Sequence, residues 1–213
     1  MSVPAWLRKI TDAVADTPAE HLSVFTPPAD GTARPASILM LFGESNGRPD
    51  VLLTQRASSL RSHAGQVSFP GGTIDPEDDG PVDAALREGA EETGLDPAGV
   101  DVLLVLPTLW IPVTNYAVAP VLAWWREPSP VGVVDASEVE SVHRIPLDHL
   151  LDPANRLQVR HPSGITGPAF RVADLLVWGF TAGLLARLFD ISGIDKPWDR
   201  TRVEELSGYA AGL

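Results

Sequence analysis

Arg87-Glu88-Gly89-Ala90-Glu91-Glu92-Thr93-Gly94-Leu95 places three carboxylates and one guanidinium within two helical turns and ends on a glycine. Glu88 and Glu92 stand four residues apart and share a face, and Glu91 lies beside Glu88. Like charges at this spacing weaken a helix by roughly 0.2–0.5 kcal/mol per pair. A segment under selection for stability alone has little reason to accept that cost. A hard divalent cation removes it, because Mg²⁺ and Mn²⁺ take oxygen ligands and bridge carboxylates to substrate phosphates. The competing interpretation is a solvated acidic helix face, and on residue chemistry alone the two balance.

A helix must carry these side chains. Its pattern starts near Pro81, a residue favoured at the first helical position, and continues through Ala84, Ala85 and Leu86 to Thr93. Gly94 suits the left-handed position that closes it. Upstream, residues 4–15 read as an amphipathic helix with Trp6, Leu7, Ile10 and Val14 on one side. Residues 37–42 and 50–55 read as a hairpin across the turn residues 44–49. A Ser- and Arg-rich loop leads to a short strand over 66–69, followed by Pro70-Gly71-Gly72. Further strands are expected at 100–106, 117–125 and 170–177. A short helix is expected at 147–151 and a longer one at 178–189, with 152–168 mostly loop or, as the alternative, carrying a hairpin. Strands and helices mix without regular βαβ alternation, which points to the α+β class.

The chain has 213 residues, 44% hydrophobic and 21% charged, and a net charge of −12. That length supports one substantial core. The acidic balance argues against a general nucleic-acid surface. There is no apolar run of spanning length and no signal-peptide layout, so no membrane role and a cytoplasmic location are the default expectations. The absence of cysteine removes disulfides, zinc–thiolate sites and thiol nucleophiles. An acidic protein that binds an anionic substrate needs metal ions or a local basic cluster. Arg56, Arg61 and His63 supply such a cluster beside the glutamates.

Taken together, Gly72 to Leu95 resembles the Nudix box of hydrolases that cleave nucleoside diphosphates linked to another group. Arg87, Glu88, Glu91, Glu92, Gly94 and Leu95 match its pattern. The first acidic position is aspartate in either register: Asp79 counting back from Arg87, Asp78 counting forward from Gly72. Gly89 replaces a bulkier residue, at a cost of roughly 0.5–1 kcal/mol relative to alanine.

Leu52-Leu-Thr-Gln-Arg56, followed by Leu60-Arg61-Ser-His63-Ala-Gly65-Gln66-Val67-Ser-Phe69-Pro70-Gly71-Gly72, is similar to the motif of coenzyme A pyrophosphatases within that group, with Ala57 where serine is usual. Glu138-Val139 leading to Ile145-Pro146-Leu147, and Trp178-Gly179-Phe180-Thr181-Ala182, also resemble that subfamily. The resemblance implies a Nudix fold, a mixed β-sheet sandwiched between α-helices, over 36–190. Residues 1–35 would form a helix and connector packed on it, and 191–213 a tail. It further implies Mg²⁺ or Mn²⁺ held by Glu88, Glu92 and Glu91 with the Gly72 carbonyl. The catalytic group would comprise Glu91, Glu138 (Glu140 being the rival candidate) and Arg87, with Arg87 orienting a carboxylate. A small nucleotide-type substrate would be gripped by Arg56, Arg61, His63, Gly65 and Gly71. Arginine's planar fork suits phosphate, and glycine lets backbone approach a ligand.

The implied reaction cleaves coenzyme A to adenosine 3',5'-bisphosphate and 4'-phosphopantetheine. Two alternatives stay open: the same chemistry on ADP-ribose, NADH or a nucleoside triphosphate, and a nucleotide-binding module without turnover. Trp124 and Trp125 are adjacent in a strand and so face opposite sides. One belongs in the core. The other is offered for stacking on adenine or for a homodimer contact.

Overall fold

The computed structural model describes residues 2–60 and 63–206. Apolar spacing in the first helix, α1 (Ala5–Val14), buries Leu7, Ile10 and Val14 on one stripe. After the single-turn α2 (Ala19–Leu22), β1 (Arg34–Ser45) and β2 (Arg48–Arg56) form an antiparallel hairpin. Asn46 and Gly47 both have positive φ at its tip, the geometry that matches strand twist in a two-residue turn.

The two strands pair only near that tip, Phe42–Ser45 against Arg48–Val51. Farther on they part, and the segment carrying β3 (Val67–Ser68) and β4 (Gly71–Thr73) fills the gap. β3 pairs with β2, and β4 pairs with β1. The wedge delivers Gly71 and Gly72 to the middle of the sheet, directly before helix α3 (Pro81–Thr93).

Strands β5 (Val100–Val105), β6 (Leu109–Ile111), β7 (Tyr116–Trp125) and β8 (Val139–Pro146) complete the main sheet. The path β3-β2-β1-β7-β5 has β8 beside β2, and β1 with β7 is its parallel pair, so the sheet is mixed. Side chains alternate across it as the two-residue period requires. Leu39, Leu41, Leu52, Val121, Ala123 and Trp125 face α3 and its Ala85. Met40, Phe42, Val51, Leu53, Leu122 and Trp124 face α1 and the late helix α5 (Gly179–Ile191). The result is the expected α+β sandwich, helices on both faces of a mixed sheet.

After α4 (Leu147–Leu150) the hairpin alternative holds over mostly loop: β9 (Arg156–Arg160) pairs antiparallel with β10 (Thr166–Val172). The single late strand expected over 170–177 is instead β10 turning through Ala173 and Asp174, both at positive φ, into β11 (Leu175–Val177). β12 (Val203–Glu205) runs parallel to β9 and completes a second, four-stranded sheet. Both tryptophans of the adjacent pair are buried, Trp124 at 4% and Trp125 at 1% exposure. The sheet is covered on both faces at that position, so neither ring is available for stacking on a base or for a surface contact.

Candidate active site

Helix α3 is fixed at both ends. The Ser37 hydroxyl on β1 lies 2.7 Å from the Pro81 carbonyl. At the far end Gly94 adopts φ +71° and its N–H donates to the Ala90 carbonyl at 2.9 Å. Gly89 has a physical reason in this packing: a Cβ there would stand 2.8 Å from Leu39 Cδ2 and 3.3 Å from Leu95 Cδ2. The helix lies so close to β1 that only glycine fits without displacing the core.

Arg87 organises the acidic residues around it. Its Nε and Nη2 donate to both oxygens of Asp78 at 2.9 Å, and Nη2 also reaches the Thr73 carbonyl at 3.1 Å. Nη1 donates to Glu88 at 3.1 Å and Glu91 at 3.0 Å. A bidentate fork of this kind fixes orientation as well as charge. Hydrogen bonding from Arg87 lowers the Asp78 pKa. The two registers for the first acidic position are therefore resolved in favour of Asp78. The exposed Asp79 instead uses its backbone N–H, which donates to Asp83 at 3.2 Å. Spacing forward from Gly72 carries the signal for this; spacing back from Arg87 misleads because the loop holds one extra residue.

Glu92 is the most perturbed group of the site. It is only 6% exposed, and one of its oxygens, Oε2, is buried without a hydrogen-bond partner among the described residues. Burial pushes its pKa up to about 8. Arg56 and the Gly71 backbone N–H oppose that rise, while the charges of Glu88 and Glu138 add to it. Burial also raises Glu88, against the pull of Arg87 and with further push from Glu91 and Glu138. Glu138, exposed just before β8, is thus brought within electrostatic reach of both glutamates, although it lies more than 40 residues farther along the chain. Its carbonyl accepts from the Ala57 N–H at 2.8 Å, which ties the start of β8 to the end of β2. The rival Glu140 is exposed and is not among the charges that perturb Glu88 or Glu92.

The donor set suits a hard divalent cation: carboxylate oxygens, one of them buried and unpartnered among the described residues, next to a glycine that packs against the helix. Gly72 is in close contact with Glu88, since a Cβ at that position would run into the Glu88 carboxylate. Among the described residues no three acidic or histidine side chains are already grouped so as to hold a metal ion. Arg87 engages one oxygen each of Glu88 and Glu91, which leaves the second oxygen of each carboxylate to act as a cation ligand.

Of the cationic residues, Arg56 sits at a β-bulge ending β2, attracts Glu92, and has its Nε buried without a hydrogen-bond partner among the described residues. His63 takes positive φ (+56°) and its Nδ1 lies 2.9 Å from Gln66 Oε1. Gly65 is left-handed at φ +68°, and its N–H donates to the Arg56 carbonyl at 3.1 Å. Gly71 passes so close to β1 that a Cβ would stand 2.7 Å from Ile38 Cα. Arg61 lies outside the described residues. Glu88, Glu91, Glu92, Arg87, Gly71, Gly72, Arg56 and Glu138 therefore share one neighbourhood, with Gly65 hydrogen-bonded to it and His63 two residues away along the same turn. No helix among the described residues is long and apolar enough to cross a membrane.

A NUDIX domain model matches residues 32–163. A Citrobacter koseri protein named Uncharacterized Nudix hydrolase NudL is 41% identical over 156 residues, covering 66% of this chain and 74% of that protein. The protein of the same name from Escherichia coli K12 is 40% identical over 148 residues, with the same coverage of each chain. The solved structure of a Nudix hydrolase from M. smegmatis, RenU, superposes with a TM-score of 0.55 at 21% identity, covering 83% of this chain and 98% of that one, a likeness of fold.

Proposed function

This chain belongs to the NUDIX family and is a Nudix pyrophosphohydrolase, and on that premise we propose that it hydrolyses the pyrophosphate bond of coenzyme A or its derivatives, giving adenosine 3',5'-bisphosphate and 4'-phosphopantetheine. The observation that carries the proposal is the meeting of two sequence motifs at one place. The charge of Arg56, from the stretch that resembles coenzyme A pyrophosphatases, acts on Glu92 of the glutamate helix and holds its pKa down against burial.

Nudix hydrolases generally use divalent metal ions such as Mg²⁺ or Mn²⁺. Glu88 and Glu92 would hold them, with Glu91 and the Gly72 carbonyl completing the set. When bound, such ions neutralise the diphosphate and lower the pKa of the attacking water. The chain's own groups do the rest. Asp78 holds Arg87, and Arg87 sets the orientation of Glu88 and Glu91. Glu138 accepts the proton of the water that attacks phosphorus, a task suited to an accessible carboxylate beside the cation ligands. Arg56, Arg61 and His63 bind phosphate oxygens, including the 3'-phosphate that distinguishes coenzyme A from ADP-ribose. Gly65 and Gly71 let the backbone approach them. The protein acts on a small molecule in this reading, with neither nucleic acid nor membrane involved.

The test is mass spectrometry of products from a mixed panel of coenzyme A, ADP-ribose, NADH and nucleoside triphosphates, with and without Mg²⁺ and Mn²⁺. Metal-dependent release of phosphopantetheine supports the assignment. Intact coenzyme A with both metals overturns it. Preferential cleavage of another panel member reassigns the substrate, and tight binding without any product makes the chain a binding module.

A further inference from the structure

Outside the acidic cluster, three polar side chains run in a line from β8 to the turn that carries Gly65. His143 Nε2 lies 2.7 Å from the Ser141 hydroxyl, and that hydroxyl donates to Gln55 Oε1 at 3.0 Å. Gln55 Nε2 then donates to the Gly65 carbonyl across a long 3.5 Å bond. All three side chains are half-buried. The direction of the line follows from its far end. A carbonyl only accepts, so Gln55 must present its NH₂ to Gly65 and its oxygen to Ser141. Serine has one hydroxyl proton, spent on Gln55, so it must accept from His143, which therefore carries its proton on Nε2.

The line adds side-chain bonds to the backbone bonds at Arg56 and Ala57 that join the same two parts of the site. Gln55 opposes Ser141 in the β2–β8 register, immediately before the bulge that displaces Arg56. Ser141 is three residues beyond Glu138, which immediately precedes β8. Gly65 belongs to a turn also tied by the bonds of Gly65 N–H to the Arg56 carbonyl, Arg56 N–H to the Gln66 carbonyl, Gln66 N–H to the His63 carbonyl, and of the His63 side chain to Gln66. Resting on the hydrolase reading above, we propose that Gln55, Ser141 and His143 are positioning residues: with the backbone bonds beside them they hold the turn carrying His63 and Gly65 to β8, the strand that Glu138 leads into, so that phosphate-binding backbone and general base keep a fixed separation. They touch neither the reacting phosphorus nor its metal. Their effect is on how well the substrate is held.

The experiment compares the full-length protein with Ser141→Ala, Gln55→Met and the conservative Ser141→Thr. Losing one net hydrogen bond corresponds to a roughly three- to ten-fold rise in KM, with kcat changed less than two-fold. Ser141→Thr, which keeps the hydroxyl, should return KM to within two-fold of the parent. The double variant Gln55→Met with Ser141→Ala should be no worse than the poorer single variant, because both cut one line. A readout independent of substrate is amide hydrogen exchange over 63–69, which should quicken in Ser141→Ala while exchange in α3 stays unchanged. Unchanged exchange over 63–69, or a loss confined to kcat, overturns the proposal. If the parent itself leaves coenzyme A intact, the substrate assignment has failed, and the exchange measurement together with KM for whichever pyrophosphate is cleaved still decides the positioning role.

Discussion

Replacing Glu92 with glutamine should make the metal-free protein more stable at neutral and alkaline pH while abolishing its activity. The carboxyl is 6% exposed, and burial lifts its pKa from 4.5 to about 8. Between those values the folded protein keeps a proton that the unfolded chain has lost. Stability therefore falls as pH rises through that window and levels off above the folded-state value. At pH 7 the chain is about 2.5 units above the unfolded pKa, and at 1.36 kcal/mol per unit the penalty is about 3 kcal/mol. Glutamine is nearly the same shape, keeps an oxygen for the Gly71 N–H, and cannot ionise. The assay is urea denaturation in excess chelator at pH 5, 7 and 9. The two proteins should match within about 1 kcal/mol at pH 5, where the native carboxyl is neutral in the parent, and diverge in favour of Glu92→Gln at pH 7 and 9. Mg²⁺ should raise the parent's midpoint, more so at pH 9, and leave that of the variant nearly unmoved. Parallel pH profiles for the two proteins, or a variant less stable than the parent at pH 9, would refute the argument that Glu92 is a buried charge awaiting a cation.

Asp78→Asn should lower kcat by roughly ten-fold or more, because Arg87 loses the fork that aims it, whereas Asp79→Asn should stay within about two-fold; equal effects on kcat would return the register to doubt. Gly89→Ala should lower stability by about 1 kcal/mol in thermal or urea unfolding, since crowding of Leu39 outweighs the roughly 0.5–1 kcal/mol gained in helix propensity. A stabilised variant would mean the core yields freely there. Glu138→Gln should reduce kcat by roughly 10²–10⁴-fold while Mg²⁺ still raises the melting temperature. Unaltered kcat would move the general base elsewhere.

Much of the site is legible in the sequence because its signals are local. The i, i+4 placement of Glu88 and Glu92, proline at the start of α3 and glycine at its end depend only on helix geometry, and they appear as expected. The β1–β2 hairpin is legible for the same reason, from turn residues between two apolar runs. The β9–β10 hairpin is legible only as an alternative to loop over 152–168, because its register and its further pairing with β11 and the distant β12 are not fixed by any local spacing. Trp124 and Trp125 are legible only in part: alternation correctly sends them to opposite faces, but it cannot tell that helices cover both.

The sequence by itself determined the chemical inventory: a helix bearing clustered carboxylates, an adjacent basic turn, and glycines where the backbone must come close. These follow from residue type and from spacings of a few positions, which short-range geometry converts directly into faces and caps. Only the tertiary structure decided which aspartate holds Arg87, that a side chain at Gly89 would crowd Leu39, that Glu92 is stripped of water, and that Glu138 joins its charge to residues more than 40 positions earlier. Each of these depends on the distance between segments remote in the chain, and that distance is set by sheet register and close packing, which no local spacing encodes.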